Sequence, residues 1–453
     1  MFGRSMQAVR AATRTATVAG AGLGAGWRGL ATGATDKVAP WEETMSDEDF
    51  AFMREILSAP SPVGLEAAMT EGVLAPALEA VAPAGWAFKR YKGSASLVVD
   101  TDPGNPDDKL TVMVVGHADK IRMQVRSIAP DGKIYINSDS FLPATLLGNK
   151  VTLFSEDAAS PGAYRAVSGG TIEALGAIHF ASAAVRSGEK GVSGDSLYLE
   201  LGVHGPKGKE QVEDMGIRVG DPLLLDRPIE RGVWPNTFSG AYLDNGLGCF
   251  VTAQLAKLLA AQPDALDSVR LLFTFAAYEE IGRFGSRVLA AREQPDVILA
   301  TDVNHDFNGA PGVADKRYPP LTMGKGATLA SGSVTSESLN SLIMAAAADY
   351  AQGSIPVQRD MCGVDTGTDA MAGVLGGVDA AVTSIGFPIR SMHTVSESGH
   401  TGDVVAAIHL IKATVESCAA RGITPAYFER AHPRLDNATS LAGPAVVPAD
   451  DSA

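Results

Sequence analysis

The sequence predicts an α/β protein: a mainly parallel sheet flanked by helices on both faces, with an inserted all-β barrel domain. Three observations predict it. Strand-like and helix-like segments alternate before residue 122 and again after Trp234. That alternation is the signature of βαβ units, whose crossover helices cover a parallel sheet. Some strand segments are continuous apolar runs, such as T-V-M-V-V at 111–115, as expected of strands buried on both faces. Between about Ile121 and Asp226 the texture changes to short alternating strands with Gly, Pro and Asp turns, among them M-Q-V-R-S-I, K-V-T-L-F and D-S-L-Y-L-E-L. This stretch reads as a small barrel or sandwich.

Taken in order, Ser46 followed by D-E-D is an N-cap with acids in the first turn, and predicts a helix through about Leu57. A second helical pattern runs from Gly64 to Val81, and a strand from Asp107 to Val115. After the β unit, helix 246–262 precedes strand Val269–Ala276, and helix 281–292 precedes strand Val297–Asp302. Helix 335–350, strand Ala380–Ile385 and helix Asp403–Ala419 follow. The expected organisation is a tail 1–40, catalytic parts 41–122 and 228–425, an inserted barrel 123–227 and a loose tail 426–453.

The chain has 453 residues and net charge −15, which argues against nucleic acid as a partner. No run of eighteen apolar residues appears, so no membrane span or membrane partner is expected. Residues 1–35 contain no Asp or Glu and carry Arg4, Arg10, Arg14 and Arg28 among small and hydroxyl residues. That is transit-peptide composition. The expected location is cytoplasmic, or mitochondrial or otherwise organellar if this segment targets the chain. Cys249, Cys362 and Cys418 are too few and too scattered for a disulfide framework or a thiolate metal site. They read as small buried groups.

The polar residues sit where strands end. The strand at 111–115 runs into Gly116-His117-Ala118-Asp119, the strand at 269–276 into Tyr278-Glu279-Glu280, and the strand at 297–302 ends in Asp302. His393 follows the strand at 380–385, and Asp244 precedes a helix. Ligands bind outside the carboxyl ends of strands in open α/β sheets. Carboxylates converging there repel one another unless a cation neutralises them. Imidazole and carboxylate without thiolate suit zinc, cobalt or manganese. Two divalent ions sharing one carboxylate would activate a water and polarise a carbonyl. Asp119 is placed to orient the His117 imidazole, and one of Glu279 and Glu280 can bind metal while the other acts as base.

These segments resemble the tetrahedral, deblocking or glutamyl aminopeptidase family of dinuclear metallopeptidases. The family pattern appears as G-H-A-D, L-D-N-G-L-G, Y-E-E-I-G, A-T-D-V-N-H and S-M-H-T, with further matches in V-R-S-I-A-P-D-G, L-L-G-N-K-V, G-I-R-V-G-D-P, M-G-K-G-A, G-T-D-A and I-G-F-P-I-R. The likeness covers about residues 46–425. It implies a zinc aminopeptidase-like fold and a hydrolase releasing N-terminal residues from peptides. It implies two divalent metal ions per chain, one held by His117, Asp244 and Asp302 and the other by Asp244, Glu280 and His393. Glu279 would be the general base. The family often forms a homo-oligomer, a twelve-subunit hollow tetrahedron, to which the inserted domain contributes dimer contacts.

The sequence departs from the family at Lys120-Ile121-Arg122, where the family usually has Glu-Ile-Gly, and at Gly246, usually Arg. These changes spare the ligands and bear on substrate preference and assembly. Asp369 reads equally as lining the substrate pocket or as a turn residue, Lys120 as a solvated charge, and His305 and His400 as loop residues. Other function classes are a different metal-dependent amide hydrolase acting on a small amino-acid derivative, and a non-catalytic assembly protein of the same fold. A glycosidase would leave the histidines unused.

Overall fold

Ser46 opens the first helix as its sequence context predicts. Its side chain accepts a hydrogen bond from Asp49 N at 3.0 Å, and Asp47, Glu48 and Asp49 fill the first turn of α1 (Asp47–Ser58), where unsatisfied N–H groups favour negative charge. The computed structural model describes residues 38–435 apart from 105–108, 139, 175–177, 263–265, 267 and 311–317. The Arg-bearing segment 1–35 and the end of the C-terminal tail lie outside the described residues. The helical pattern expected over 64–81 is present as Ala67–Met69, a π-turn Thr70–Leu74 and Ala75–Glu79.

Three strands follow: β1 (Ala87–Arg90), β2 (Leu97–Asp100) and β3 (Leu110–His117), the last buried throughout. The chain then builds β4 (Met123–Ile128), β5 (Ile134–Asn137), β6 (Lys150–Glu156), β7 (Tyr164–Glu173), β8 (Tyr198–Glu200) and β9 (Pro222–Leu225). These six close into a barrel in the order β4-β5-β8-β7-β6-β9. Period-two alternation sends Met123, Val125, Ile134, Ile136, Val151, Leu153 and Leu223 into a shared core.

The rest of the chain supplies β10 (Glu230–Arg231), β11 (Thr237–Gly240), α2 (Leu243–Ala260), β12 (Val269–Ala276), α3 (Phe284–Glu293), β13 (Val297–His305), β14 (Ala327–Gly332), α4 (Glu337–Ala348), β15 (Val357–Cys362), β16 (Ala381–Ile389), β17 (Glu397–His400) and α5 (Thr401–Ala420). The large sheet has the order β1-β2-β12-β3-β13-β16-β14-β15, and β10-β11-β17 form a small one. The pairs β12/β3, β3/β13, β13/β16 and β14/β15 are parallel; β1/β2, β2/β12 and β14/β16 are antiparallel. The molecule is thus a mixed α/β fold with a closed six-stranded barrel. Val112, Val114, Leu271 and Phe273 pack with apolar residues of α2, α4 and α5. Their strand neighbours Met113, Val115 and Leu272 pack with Leu289 and Ala290 of α3. Among the described residues, no helix is long and apolar enough to cross a membrane.

Two glycines bring α2 onto the sheet. A Cβ at Gly116 would lie 2.5 Å from the carbonyl carbon of Gly248, and one at Gly248 would lie 2.3 Å from Thr301 O. Only hydrogen fits at either position, so the start of α2 rests directly on β3 and β13. The helix expected to begin at 281 begins at Phe284. After β12 the chain first makes a tight turn, in which Tyr278 and Arg283 take positive φ and the N–H groups of Gly282 and Arg283 both donate to Glu279 O at 2.9 Å.

Candidate active site

The carboxyl edge of the large sheet gathers the residues that the sequence singles out. His117 ends β3, Asp302 lies near the end of β13, Glu279 and Glu280 sit in the turn after β12, and His393 lies between β16 and β17. Asp244 stands at the start of α2 but is not itself helical, with φ −81° and ψ 112°. Its carboxylate reaches both imidazoles: Oδ1 is 3.1 Å from His117 Nε2, and Oδ2 is 3.1 Å from His393 Nε2. Around this axis, His117 Nε2 is 3.9 Å from Asp302 Oδ2 and 3.7 Å from Glu279 Oε2, while His393 Nε2 is 3.7 Å from Glu280 Oε2. His117, Asp244 and Glu280 offer ligand atoms that all lie within 4.8 Å of one another.

A second layer fixes these side chains. Asn245 accepts from Gly248 N at 2.7 Å, capping the regular part of α2, and donates to Thr301 O at 2.7 Å. Glu397 is buried and accepts from Leu243 N at 2.6 Å and His393 N at 2.8 Å, joining the loops that carry Asp244 and His393. Burial pushes the Glu397 carboxyl up to about 8. Thr368 donates to Asp302 Oδ2 at 2.5 Å. Sequence reading did not single out Asn245, Glu397 or Thr368. Asn245 lies inside L-D-N-G-L-G and Thr368 inside G-T-D-A, while Glu397 stands four residues beyond His393.

Asp119 differs in detail from expectation. The His117 Nδ1 faces the Asp119 carbonyl at 3.1 Å, while the carboxylate lies farther off at 3.6 Å. That carboxylate instead accepts the backbone N–H groups of Glu279 at 3.0 Å and Glu280 at 3.1 Å. Asp369 does not line the cavity. It is buried behind Thr368, accepts a hydrogen bond from Ser286 Oγ, and starts a short 3₁₀ turn. Lys120 is not solvated. It is almost wholly buried, and its Nζ donates to Leu57 O at 2.8 Å and to Ala59 O, at the end of α1. His305 is exposed beside Phe307, and His400 Nδ1 accepts from Gly402 N at 3.2 Å at the start of α5. All three cysteines are buried and free.

The electrostatics are those of crowded anions. Burial raises the carboxyls of Glu279, Glu280 and Asp302, and the neighbouring Asp244 adds to the rise in each. Burial also works against the charge on Asp244, yet its bonds to His117 and His393 hold its carboxyl below the usual range. Burial works against the charge on His117, yet its contacts with Asp119 and Asp244 raise its imidazole, and the bond to Asp244 raises that of His393. A divalent cation among these groups would relieve the repulsion and take up the donor atoms. The set of imidazole nitrogens and carboxylate oxygens fits a borderline metal. The cluster opens into a cavity of about 350 Å³, whose far wall includes Asn304, Thr328, Ala330, Asp360, Cys362 and Ser384.

A family model described as M42 glutamyl aminopeptidase matches residues 96–410. The lysyl aminopeptidase of Pyrococcus furiosus is 26% identical over 386 residues, covering 83% of this chain and 99% of its own. Among solved structures, the TET aminopeptidase of the marine sediment archaeon Thaumarchaeota archaeon SCGC AB-539-E09 matches with TM-score 0.70 at 21% identity, over 82% of this chain and 96% of its own. The Pyrococcus horikoshii TET1 peptidase, which can assemble into a tetrahedron or a large octahedral shell, matches with TM-score 0.64 at 17% identity, over 81% and 98%. At these identities the solved structures speak for the fold, while the sequence match spans well over half the chain and contains the whole cluster built around Asp244. The chain belongs to the M42 glutamyl aminopeptidase family and is a metal-dependent aminopeptidase.

Proposed function

We propose that this aminopeptidase releases N-terminal residues from peptides with two divalent ions in place. His117, Asp244 and Asp302 hold one, and Asp244, Glu280 and His393 hold the other. Zinc, cobalt and manganese all suit this donor set. The observation that carries the reading is the placement of Asp244 between two imidazoles, one oxygen 3.1 Å from each. The proximity of His117, Asp244 and Glu280 alone also fits a single ion. Two ions are favoured because that set uses both Asp244 oxygens and leaves neither Asp302 nor His393 idle. Bound there, such ions polarise a scissile carbonyl and lower the pKa of a coordinated water.

The remaining work falls to the chain's own groups. Glu279 faces the cavity and is not in the ligand set. It takes the proton from the attacking water and returns one to the departing amine. Asp119 holds the Glu279–Glu280 turn by its backbone. The large sheet with its covering helices serves as a zinc aminopeptidase-like platform built from 41–122 and 228–425, and the barrel domain 123–227 mediates subunit contacts. We further propose a homo-oligomeric assembly, as a twelve-chain tetrahedron, and targeting to an organelle by residues 1–35. The shells formed by the Pyrococcus horikoshii peptidase support the first, and composition supports the second.

Elemental analysis of protein purified without chelator tests the central claim. Close to two equivalents of divalent metal per chain are expected, with peptide hydrolysis lost on chelation and restored by metal. Activity that is intact with no bound metal would overturn it.

A further inference from the structure

Beyond the ligand cluster, four strands turn one face toward the cavity. Asp302 and Asn304 on β13, Ser384 and Gly386 on β16, Thr328 and Ala330 on β14, and Asp360 and Cys362 on β15 stand two apart along their strands, so each pair shares a face. Gly386 leaves a slot across the sheet, since a Cβ there would lie 2.2 Å from Asn304 Oδ1. In that slot Asn304 accepts from Thr328 Oγ1 and donates its Nδ2 to Asp360 Oδ2 at 2.9 Å. Both ends of the amide are engaged, which fixes its orientation and that of the carboxylate it holds.

Asp360 is half-buried in the cavity wall with Ala330 and Cys362 beside it. Among the described residues its hydrogen-bond partners are the N–H groups of Asn304 and Met361, and no cation forms an ion pair with it. Arg283, the cation on the same wall, is already paired with Asp365 through two bonds of 2.6 and 2.8 Å. An anion set among small apolar groups suits a ligand with an aliphatic stem and a positive end.

Its distance from the ligand cluster says which part of a substrate reaches it. β15 lies three strands from β13, but Asn304, two residues or ~7 Å along β13 from Asp302, reaches across to bond the Asp360 carboxylate at 2.9 Å, so that carboxylate stands about one long side chain away from the ligand cluster. The α-ammonium of a peptide is separated from the scissile carbonyl by a single carbon, so it stays with the ligand cluster. A long side chain on the first residue is what spans the remaining gap.

We infer that Asp360 is a specificity-determining residue that receives the cationic side chain of the substrate's N-terminal residue, so that lysine and arginine are preferred over leucine, methionine and glutamate. This rests on the aminopeptidase reading above. The test compares kcat/KM of metal-loaded wild type, Asp360→Asn and Asp360→Glu on peptides differing only in the first residue. Wild type should favour Lys and Arg. Asp360→Asn should lower the Lys rate relative to Leu by roughly 10- to 100-fold, the range expected for removing one partner of a shielded charge pair. Metal content should not change, and Asp360→Glu should keep the preference for cations. A Lys-to-Leu ratio that Asp360→Asn leaves unaltered would overturn the assignment. Calorimetric titration of lysine and norleucine into the same proteins gives a readout independent of turnover. Tighter binding of lysine that disappears in Asp360→Asn supports the assignment, and equal binding of the two amino acids overturns it. Absence of turnover on every peptide would count against the aminopeptidase reading, and the titration would then still decide the role of Asp360.

Discussion

Asp119 holds Glu280 by its backbone. The Glu280 N–H donates to Asp119 Oδ2 at 3.1 Å, and the adjacent Glu279 N–H donates to Oδ1 at 3.0 Å, while the Asp119 carbonyl faces His117 Nδ1 at 3.1 Å. One buried residue therefore meets the His117 imidazole on β3 and sets the turn after β12. An ionised carboxylate can accept both N–H bonds, but an amide has one acceptor and one donor. Asp119→Asn turns an N–H toward another N–H and breaks half of the arrangement. Turnover should fall roughly 10- to 100-fold, the usual effect of losing an outer-sphere partner, with the melting temperature little changed. Unchanged turnover would show that the turn is held in place by its own hydrogen bonds.

The two glutamates of that turn should separate by assay. Glu279→Gln keeps shape but cannot accept a proton, so metal content should remain and kcat should fall on the order of 10²–10⁴-fold. That is about 3–5 kcal/mol of lost transition-state stabilisation. Glu280→Gln weakens a ligand and should lower metal occupancy. Metal content and peptide hydrolysis measured side by side decide this, and loss of metal in both variants would refute the assignment of roles.

The parts legible in sequence are those where pattern and burial agree. β12 carries an uninterrupted apolar run and is observed at the expected residues, Val269–Ala276. The alternating stretch after Ile121 closes into the barrel. β14 and β15 were not legible because their cavity-facing positions, Thr328, Ala330, Asp360 and Cys362, are small or polar for the sake of the site, which erases the apolar signature. β1 and β2 are only four residues each, too short for periodicity to register. Asp119 was found by its place in G-H-A-D, but which of its oxygens does what depends on the turn after β12, a contact 160 residues away.

Lys120 was misread because a lone lysine beside Asp119 gives no sign that carbonyls from another element will meet it. Burial pulls its ammonium down to about 7, and it lies over the Tyr242 ring with 5.4 Å to the centroid. Its Nζ donates to Leu57 O and Ala59 O, where α1 ends. Lys120→Met keeps the stem but leaves those buried carbonyls without their donor, which costs about 1–3 kcal/mol. Urea denaturation should show a lower midpoint at neutral pH with an unchanged slope. A midpoint equal to wild type would mean that removing the buried charge offsets the orphaned carbonyls.

His409 should give the fold an acid-sensitive arm distinct from the active site. Tyr350 OH lies 2.8 Å from His409 Nδ1, and the Trp41 ring meets the imidazole edge-on at 6.1 Å between centroids. Burial, reinforced by nearby Lys412, lowers the imidazole to about 4 from an ordinary 6.5. The sign follows from linkage. Between pH 6.5 and 4 the unfolded chain takes up a proton at this position that the folded chain refuses, so folding loses free energy as pH falls. Above pH 6.5 both states are neutral there and the contribution is constant. Denaturant midpoints of the metal-free chain, measured across this window, should therefore drop toward acid. His409→Gln can still hydrogen-bond Tyr350 but cannot titrate, and its midpoints should fall less steeply over the same range. Parallel curves for the two proteins would show that His409 is protonated as readily in the folded chain as in the unfolded one.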